Sequence, residues 1–514
     1  MTRIAVIGGG PGGLLCAALI AERRSDFEVE LFERNGPDES FGFGVVFSAP
    51  TLSRLTEADA RLGAELHQGG RHWDHIDIHC KGHHTRCGGL GFSAIGRRRL
   101  LSRLRARAYE AGVRLRFNVE ADSAVLERSH DLVIAADGLN SATRQTYAES
   151  FQPTVEVAGA RYIWFGANRP FDSMTFFFEE AAAGWFAVHA YPYDEHTSTF
   201  VVECSEETWR RAGFEATSAL PPGTSDEPTR QVMQEVFARH LDGAELLANN
   251  SRWQNFRTVR AASWCHDRTV LLGDAAHTAH FSVGSGTTMA LEDALALAEA
   301  ITDPASTDFS SSARLYEQAR RPRVDRIQEA AEPSMFWWEH FDSFTALPPE
   351  QFPVHFLTRS GRVSFDRLAA GDSRFAEHLL KERGTRPRAI LQTPCRVGEE
   401  TFPGRLVSAA DLDRHVPNAA RLTAPAHAAE VPKLVEDIRA ADEHTALYVI
   451  SQADAGPPAT RAAMHLAELL KLHGEAPVAL ATNANDVEWL ATLVLSGRTD
   501  MIVLPTPERE ITSP

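Results

Sequence analysis

Cysteine is scarce, long apolar runs are missing, and positive charge is in deficit. Six cysteines among 514 residues, scattered at positions 16, 80, 87, 204, 265 and 395, make no disulfide framework for a chain of this size, so a reducing cytoplasm is the expected compartment. No basic-then-apolar leader opens the sequence, and no unbroken apolar span is long enough for a bilayer. The apolar stretch 4–21 is broken by five glycines and a proline, which makes it a turn-containing segment. With 52 Lys and Arg against 69 Asp and Glu, the net charge of −17 disfavours nucleic acid and anionic membranes as partners. What remains is ordinary for a soluble globular protein: 43% apolar, 24% charged, and long enough for two to four domains.

Residues 1–21 read as strand, tight turn, helix. Gly8 permits the turn, Gly10 removes a side chain where a pyrophosphate approaches the backbone, and Gly13 allows helix and strand to pack closely. The helix start at Pro11, Gly12 and Gly13 offers free N–H groups to phosphates. The next strand, 27–34, ends in Glu33 and Arg34; Glu33 lies about 25 residues on, near the distance expected of a carboxylate on ribose hydroxyls. The alternative for Glu33 is a solvated charge at a strand end. A second apolar strand, 131–136, ends in Asp137-Gly138. A third run, 271–286, carries Gly273-Asp274, His277, His280, Phe281, Gly284 and Gly286.

In this order, the three motifs resemble the class A flavoprotein aromatic hydroxylases, which include p-hydroxybenzoate hydroxylase. The resemblance implies FAD, with Asp137 and Gly138 near the pyrophosphate and Asp274 on the ribityl chain. Residues 97–104 match the family's Arg-x-x-Leu-x-x-x-Leu helix start, making Arg97 the expected FAD contact, while Arg103, Arg105 and Arg107 suit a solvated helix face. After His277 the broad family has a proline and an asparagine where this chain has Phe281 and Thr288. Together with 42–48, 162–166 and 188–192, that departure resembles the aryl-CoA branch, over residues 1–385. The fold implied is α/β: a Rossmann-like FAD-binding domain (segments 1–70, 97–150 and 255–330) with a mostly antiparallel substrate sheet (71–96 and 151–254).

The implied chemistry is hydroxylation of an aromatic acyl-CoA thioester through a flavin C4a-hydroperoxide, with NADH as reductant, NADPH as its alternative, and O2 as co-substrate. Salicylyl-CoA to gentisyl-CoA is the first expectation. The alternatives are 2-aminobenzoyl-CoA and an indole or tryptophan-derived aromatic. Val46 is expected beside the flavin, Phe47, Trp164, Phe165 and Phe281 in a water-excluding pocket, and His189, Tyr191 or His280 as acceptor of a substrate proton. Each of these three has the alternative of a core residue with a satisfied hydrogen bond. Gly284 and Gly286 are expected to present N–H groups to the flavin ring. Coenzyme A needs cations at the entrance, for which Arg210-Arg211 and Arg320 to Arg323 are available, although both also fit solvated helix faces.

The His79–Cys87 segment crowds three imidazoles and two thiols, yet lacks a Cys-x-x-Cys knuckle and reads as a hairpin centred on Lys81-Gly82, so no metal is assigned. Beyond residue 385 the pattern changes. After a linker at 383–388, residues 390–407 resemble the opening of an old-yellow-enzyme barrel, and strands near 445–450, 477–481 and 501–504 alternate with helices near 459–473 and 485–496. This 386–514 domain is expected to be a small α/β unit resembling part of a TIM barrel, since about 125 residues cannot make the usual ~250-residue barrel. Pro505-Thr506 stands where that family has its flavin-phosphate Gly-Arg. A flavin-free module for packing or dimerisation, and hence a homodimer, is the expectation for it.

Overall fold

Short apolar strands from three separate stretches of the chain, 2–33, 114–135 and 265–271, assemble as a six-stranded sheet. Its order is Cys265–His266, Thr269–Leu271, Leu132–Ala135, Thr2–Ile7, Phe27–Glu33, Arg114–Phe117, parallel except for the first pair. In the computed structural model, residues 40, 218–219, 222, 284–285, 306–307, 382–386, 442–444, 453–456, 474–475, 485 and 506–514 fall outside the described set. The chain divides into two compact units, Met1–Glu339 and His340–Pro514.

In the first unit, the helix Pro11–Arg23 is buried from Pro11 to Ile20 between the helices Arg97–Glu110 and Gly286–Thr302. Its small faces, with Ala17 and Ala18, meet Ala294 and Ala298 in the same apolar cluster. The larger sheet runs Leu246–Ala248, Pro153–Ala167, Ser198–Cys204, Gly184–Pro192, Met174–Ala181, Ile76–Cys80, His83–Cys87, with Gln254–Ala261 on the flank of Pro153–Ala167. Only the pairing of Met174–Ala181 with Ile76–Cys80 is parallel. The expected hairpin is present: Lys81 and Gly82 both hold positive φ, 50° and 79°, at the turn joining the last two strands.

The boundaries inside this unit differ from expectation in two places. Phe92–Gly96 pairs with Gly44–Ser48 on one side and with Arg71–Trp73 on the other, in a three-stranded sheet separate from the large one. Gln254–Ala261, expected with the FAD segments, extends the substrate sheet instead.

Along its central strands the large sheet is covered on both faces. All seven residues of Ser198–Cys204 are buried, so side-chain parity, and not polarity, decides what each residue meets. Ile163, Phe165, Val188, Ala190, Phe200 and Val202 pack under Met233, Phe237 and Leu241. The other parity brings Phe176 and Phe178 against Trp338, near the end of the helix Phe309–Glu339.

The second unit holds five parallel strands in the order Leu406–Ser408, Met501–Leu504, Val478–Ala481, Tyr448–Gln452, Ala420–Ala424, preceded by the hairpin Cys395–Val397/Glu400–Phe402. It begins well before the expected linker. The helices at 341–381 belong to it because the Phe365 N–H donates to Thr492 Oγ1 at 2.9 Å, and Arg498 donates to Thr358 Oγ1 at 2.7 Å and to the His355 carbonyl at 2.8 Å.

Arg498 also meets the buried Glu468 carboxylate, Nε to Oε1 at 2.6 Å, and that carboxylate faces His355 and His465. Burial alone would raise Glu468, but Arg498 and the two imidazoles hold it well below the usual carboxylate range. Burial, aided by Arg498, pushes His355 down to about 4. Between the ordinary histidine value of 6.5 and about 4, the unfolded chain therefore binds a proton at this residue that the folded one does not. Stability of this unit should fall as pH drops through that window, by on the order of 1–3 kcal/mol. Calorimetric melting across the window checks this: the slope should flatten in H355Q and be retained in a variant of an exposed histidine such as H196Q.

Candidate cofactor and substrate site

The first turn is built as its glycines require. Gly8 sits at φ +107°, and a Cβ there would lie 2.2 Å from the Ala136 carbonyl oxygen; one on Gly13 would lie 2.1 Å from the Gly8 oxygen. Gly10 is different, because a Cβ there would meet nothing within 4 Å. The same is true of Gly138 and Gly286, so glycines of all three motifs face open space. Glu33 accepts from Gly9 N–H at 2.7 Å and from Asn35, which fixes its carboxylate at the strand end beside this turn. Arg34 is exposed.

The second and third motifs are tied by Arg144. Its guanidinium donates to the carbonyls of Leu139 at 2.6 Å and Ala275 at 2.8 Å. Asp137 takes the Thr143 N–H on Oδ2 while its buried Oδ1 has no partner among the described residues. The Asp274 side chain is accessible, yet loss of bulk water raises its pKa, as expected in a deep cleft; the fields of His277 and Arg97 pull the other way. Arg97, the first residue of its helix, is itself lowered by burial against the opposing pull of Asp274 and Tyr191. Leu100 and Leu104 of the same helix are fully buried, as the motif spacing requires. These donors, the orphaned Asp137 Oδ1 and the open glycine faces fit a dinucleotide with a pyrophosphate and a ribityl chain. Gly284 lies outside the described residues.

The loop carrying Asp274 is held from behind by a residue that sequence reasoning missed. Asp293, fully buried on the helix Gly286–Thr302, accepts from Arg320 Nε at 2.7 Å and from Gly273 N–H at 3.2 Å, and meets His277 Nε2 at 2.8 Å. Arg320 and Arg323 also meet Glu292, and Arg321 donates to the Ala261 and Ala262 carbonyls. Arg210 and Arg211 pair with glutamates of their own segment. Both arginine runs thus have partners within the chain, buried for Arg320 and exposed for Arg210 and Arg211.

Beyond His277 the loop reaches the sheet. His189 Nε2 lies 2.6 Å from Glu203 Oε1, and His280 Nε2 lies 3.8 Å from Glu203 Oε2, with all three side chains buried. Phe281 stacks on His280 at 4.4 Å and meets Tyr162 and His189 edge-on, while Trp338 covers His189 at 4.2 Å. Burial raises Tyr162 to about 12. Register explains the grouping: Tyr162 faces Glu203 across one strand pair, and Phe176 faces His189 across another. Trp164 shares the parity of Tyr162, and its buried Nε1 has no partner among the described residues.

Three expected site residues lie elsewhere. Phe165 points to the opposite face, into the Phe200 and Phe237 core. Phe47 is 1% exposed among Leu52, Leu66 and Ile95, while its neighbour Val46, of opposite parity, stays half-buried. The Tyr191 hydroxyl donates to the Gly44 carbonyl at 2.9 Å, and burial raises it to about 12, so it ties the sheet to the Gly44 strand. Glu203 was missed because it sits in an apolar strand with no motif around it.

The glycines give a discriminating test. Gly8→Ala should destabilise the flavin-free protein, since both φ and the Ala136 carbonyl forbid the methyl. Gly10→Ala should leave flavin-free melting unchanged and weaken FAD retention at least tenfold, because its methyl occupies only the open groove. Melting of the stripped protein and FAD titration read the two effects separately.

A protein-family model described as FAD binding domain matches residues 1–331. Salicyloyl-CoA 5-hydroxylase of Streptomyces sp is 43% identical, over 97% of this chain and 99% of that protein. The 3-hydroxy-4-methyl-anthranilyl-[aryl-carrier protein] 5-monooxygenase of Streptosporangium sibiricum is 37% identical, over 72% of this chain and 98% of that protein. The solved tetrameric form of 2-methyl-3-hydroxypyridine-5-carboxylic acid oxygenase aligns with a TM-score of 0.52 at 20% identity, over 66% of this chain and 93% of that one, which shows the fold alone. With the family model spanning more than half its length and both relatives above 30% identity, this chain belongs to the FAD-dependent aromatic monooxygenases.

Proposed function

We propose that the protein hydroxylates an aryl-CoA thioester, salicyloyl-CoA to gentisyl-CoA in the first instance, with NADH as reductant. The observation that carries this reading is the 43% identity to a salicyloyl-CoA 5-hydroxylase over nearly the full length of both chains, C-terminal unit included. NADH supplies two electrons, one atom of O2 enters the ring and the other leaves as water. Bound FAD, held by Gly10, Gly12, Gly13, Glu33, Arg97, Asp137 and Asp274, would supply the activation of oxygen.

The remaining work falls to the protein. Tyr162 and Phe281, half-buried over the buried Phe176 and Trp338, would present ring faces and edges to an aromatic substrate and keep water away. Trp164 Nε1–H is a donor of the kind a thioester carbonyl accepts. A thioester withdraws electrons from the ring, so a hydroxyl or amino substituent has to supply them, most strongly once its proton has moved to an imidazole of His189 or His280. Two relatives with carrier-linked aromatic acids in their names favour a thioester over a free aromatic.

The second unit is proposed to be a trimmed barrel that serves packing or dimerisation. Its spatial strand order, first, fifth, fourth, third, second, is the one an eight-stranded barrel would leave after losing strands two to four, since first and last remain paired. The aryl-carrier-protein relative, matched over nearly its whole length, covers only 72% of this chain, which supports a hydroxylase that works without the five-stranded sheet of this unit.

NADH oxidation by the FAD-loaded protein with salicyloyl-CoA, salicylate, 2-aminobenzoyl-CoA and tryptophan, with product mass and peroxide read together, tests the substrate. Salicyloyl-CoA should stimulate oxidation and gain one oxygen with little peroxide. Stimulation by free aromatics alone would overturn the thioester reading. A chain ending at about residue 388 should keep its FAD and coupled turnover while losing self-association. Loss of a second flavin on truncation would refute the trimmed-barrel reading.

A further inference from the structure

A buried carboxylate shared by two imidazoles is costly where an apolar residue would pack as well, and such ion pairs contribute little to stability on average. Glu203 lies in a strand whose other residues are all buried, between His189 and His280, on the sheet face that carries the aromatic cluster. What sets it apart from the buried carboxylates Asp293 and Glu468, which arginines neutralise, is its pairing with imidazoles beside the aromatic cluster.

The hydrogen bonds around His280 fix how it meets Glu203. The Ser282 backbone N–H approaches His280 Nδ1 at 3.3 Å, and an N–H can only donate, so Nδ1 is the acceptor. The proton of the neutral ring then sits on Nε2, the nitrogen facing Glu203 Oε2. Ser282 Oγ, 2.8 Å from the same Nδ1, is 2.7 Å from Ser334 Oγ on the helix Phe309–Glu339, which anchors this orientation. The His280 Nε2–H thus faces Glu203 Oε2 across 3.8 Å, an electrostatic contact longer than a hydrogen bond, and His189 Nε2 stands at 2.6 Å from Oε1 on the other side. The arrangement has the logic of a carboxylate that orients and charges a catalytic imidazole.

Resting on the aryl-CoA reading above, we propose that Glu203 is a positioning residue that makes His189 the acceptor of the substrate's phenolic proton, with His280, Ser282 and Ser334 holding the carboxylate anionic. The substrate O–H bond breaks, its proton passes to the His189 ring, and the electron pair stays on oxygen, where it activates the para carbon. The ring C–H proton at the attacked carbon passes to the oxygen atom that leaves as water, whose second proton comes from solvent, and the imidazolium, stabilised by Glu203, then returns its proton to the phenolic oxygen. The two imidazoles and the carboxylate finish the cycle in the protonation states in which they began it.

The test uses the full-length FAD-loaded enzyme as wild type, E203Q and E203D, with salicyloyl-CoA and, as a ligand without the hydroxyl, benzoyl-CoA. The readouts are the phenolate absorbance of bound salicyloyl-CoA against pH, single-turnover product yield, FAD content and melting temperature. E203Q should bind both thioesters and retain FAD, yet need a pH at least one unit higher to form bound phenolate and hydroxylate about a hundredfold more slowly, within the range of general-base effects. E203D, which keeps the charge, should recover part of both. An unchanged phenolate profile and yield in E203Q would overturn the proposal. So would equal loss of FAD or of cooperative melting in E203Q and E203D, since Glu203 would then be structural. If the wild type itself turns over neither thioester, the substrate reading falls, and the proposal falls with it.

Discussion

One buried carboxylate, that of Asp293, sets the geometry on which both halves of the site depend. A charge with no access to water is tolerable only with full compensation, and here Arg320, His277 and the Gly273 N–H provide it. Removing one partner of such a cluster typically costs about 3–5 kcal/mol. The consequence is positional: the loop from Gly273 to Phe281 is pinned at its base to two helices. Its first residues carry Asp274 toward the cofactor cleft, and its last carry His280 and Phe281 onto the substrate sheet. A single short loop thereby fixes the cofactor and the aromatic cluster relative to one another, which is the distance an oxygen-transfer reaction has to control.

The cofactor motifs were legible because each glycine answers a local constraint. A positive φ at Gly8 and the contact of Gly13 with the Gly8 carbonyl are enforced by neighbours a few residues away or on the adjacent strand. The substrate face was less legible for a reason of parity. Where one side of a sheet meets solvent, alternation of polar and apolar residues shows which way each side chain points. Here both sides are dry, so Trp164 and Phe165, or Val46 and Phe47, are equally apolar and differ only in the face they occupy. The structure separates each pair, and the residue that reaches a core is in both cases the phenylalanine.

Asp293, Arg320 and Glu203 escaped sequence reading because their partners are distant and their surroundings carry no motif. The arginine run 320–323 fits a coenzyme-binding rim or a solvated helix face by sequence, yet Arg320 is 7% exposed. Position within a long helix, and not composition, buries it. His189 and His280 were identifiable as imidazoles in the right region, but the carboxylate between them became visible only when the pairing of Gly184–Pro192 with Ser198–Cys204 was known.

The C-terminal unit shows how a parallel sheet can persist without closing. Strands of a parallel sheet are buried on both faces and need a cover on each. The helix Pro457–His473 packs against three of the five strands. On the other side Val407, Val449, Ala479, Met501 and Val503 form one cluster with Cys395, Val397 and Phe402 of the hairpin and Leu412 of the following helix. Among the described residues, the hairpin and that helix thus cover the second face of this open sheet, as the helix Pro457–His473 covers the first.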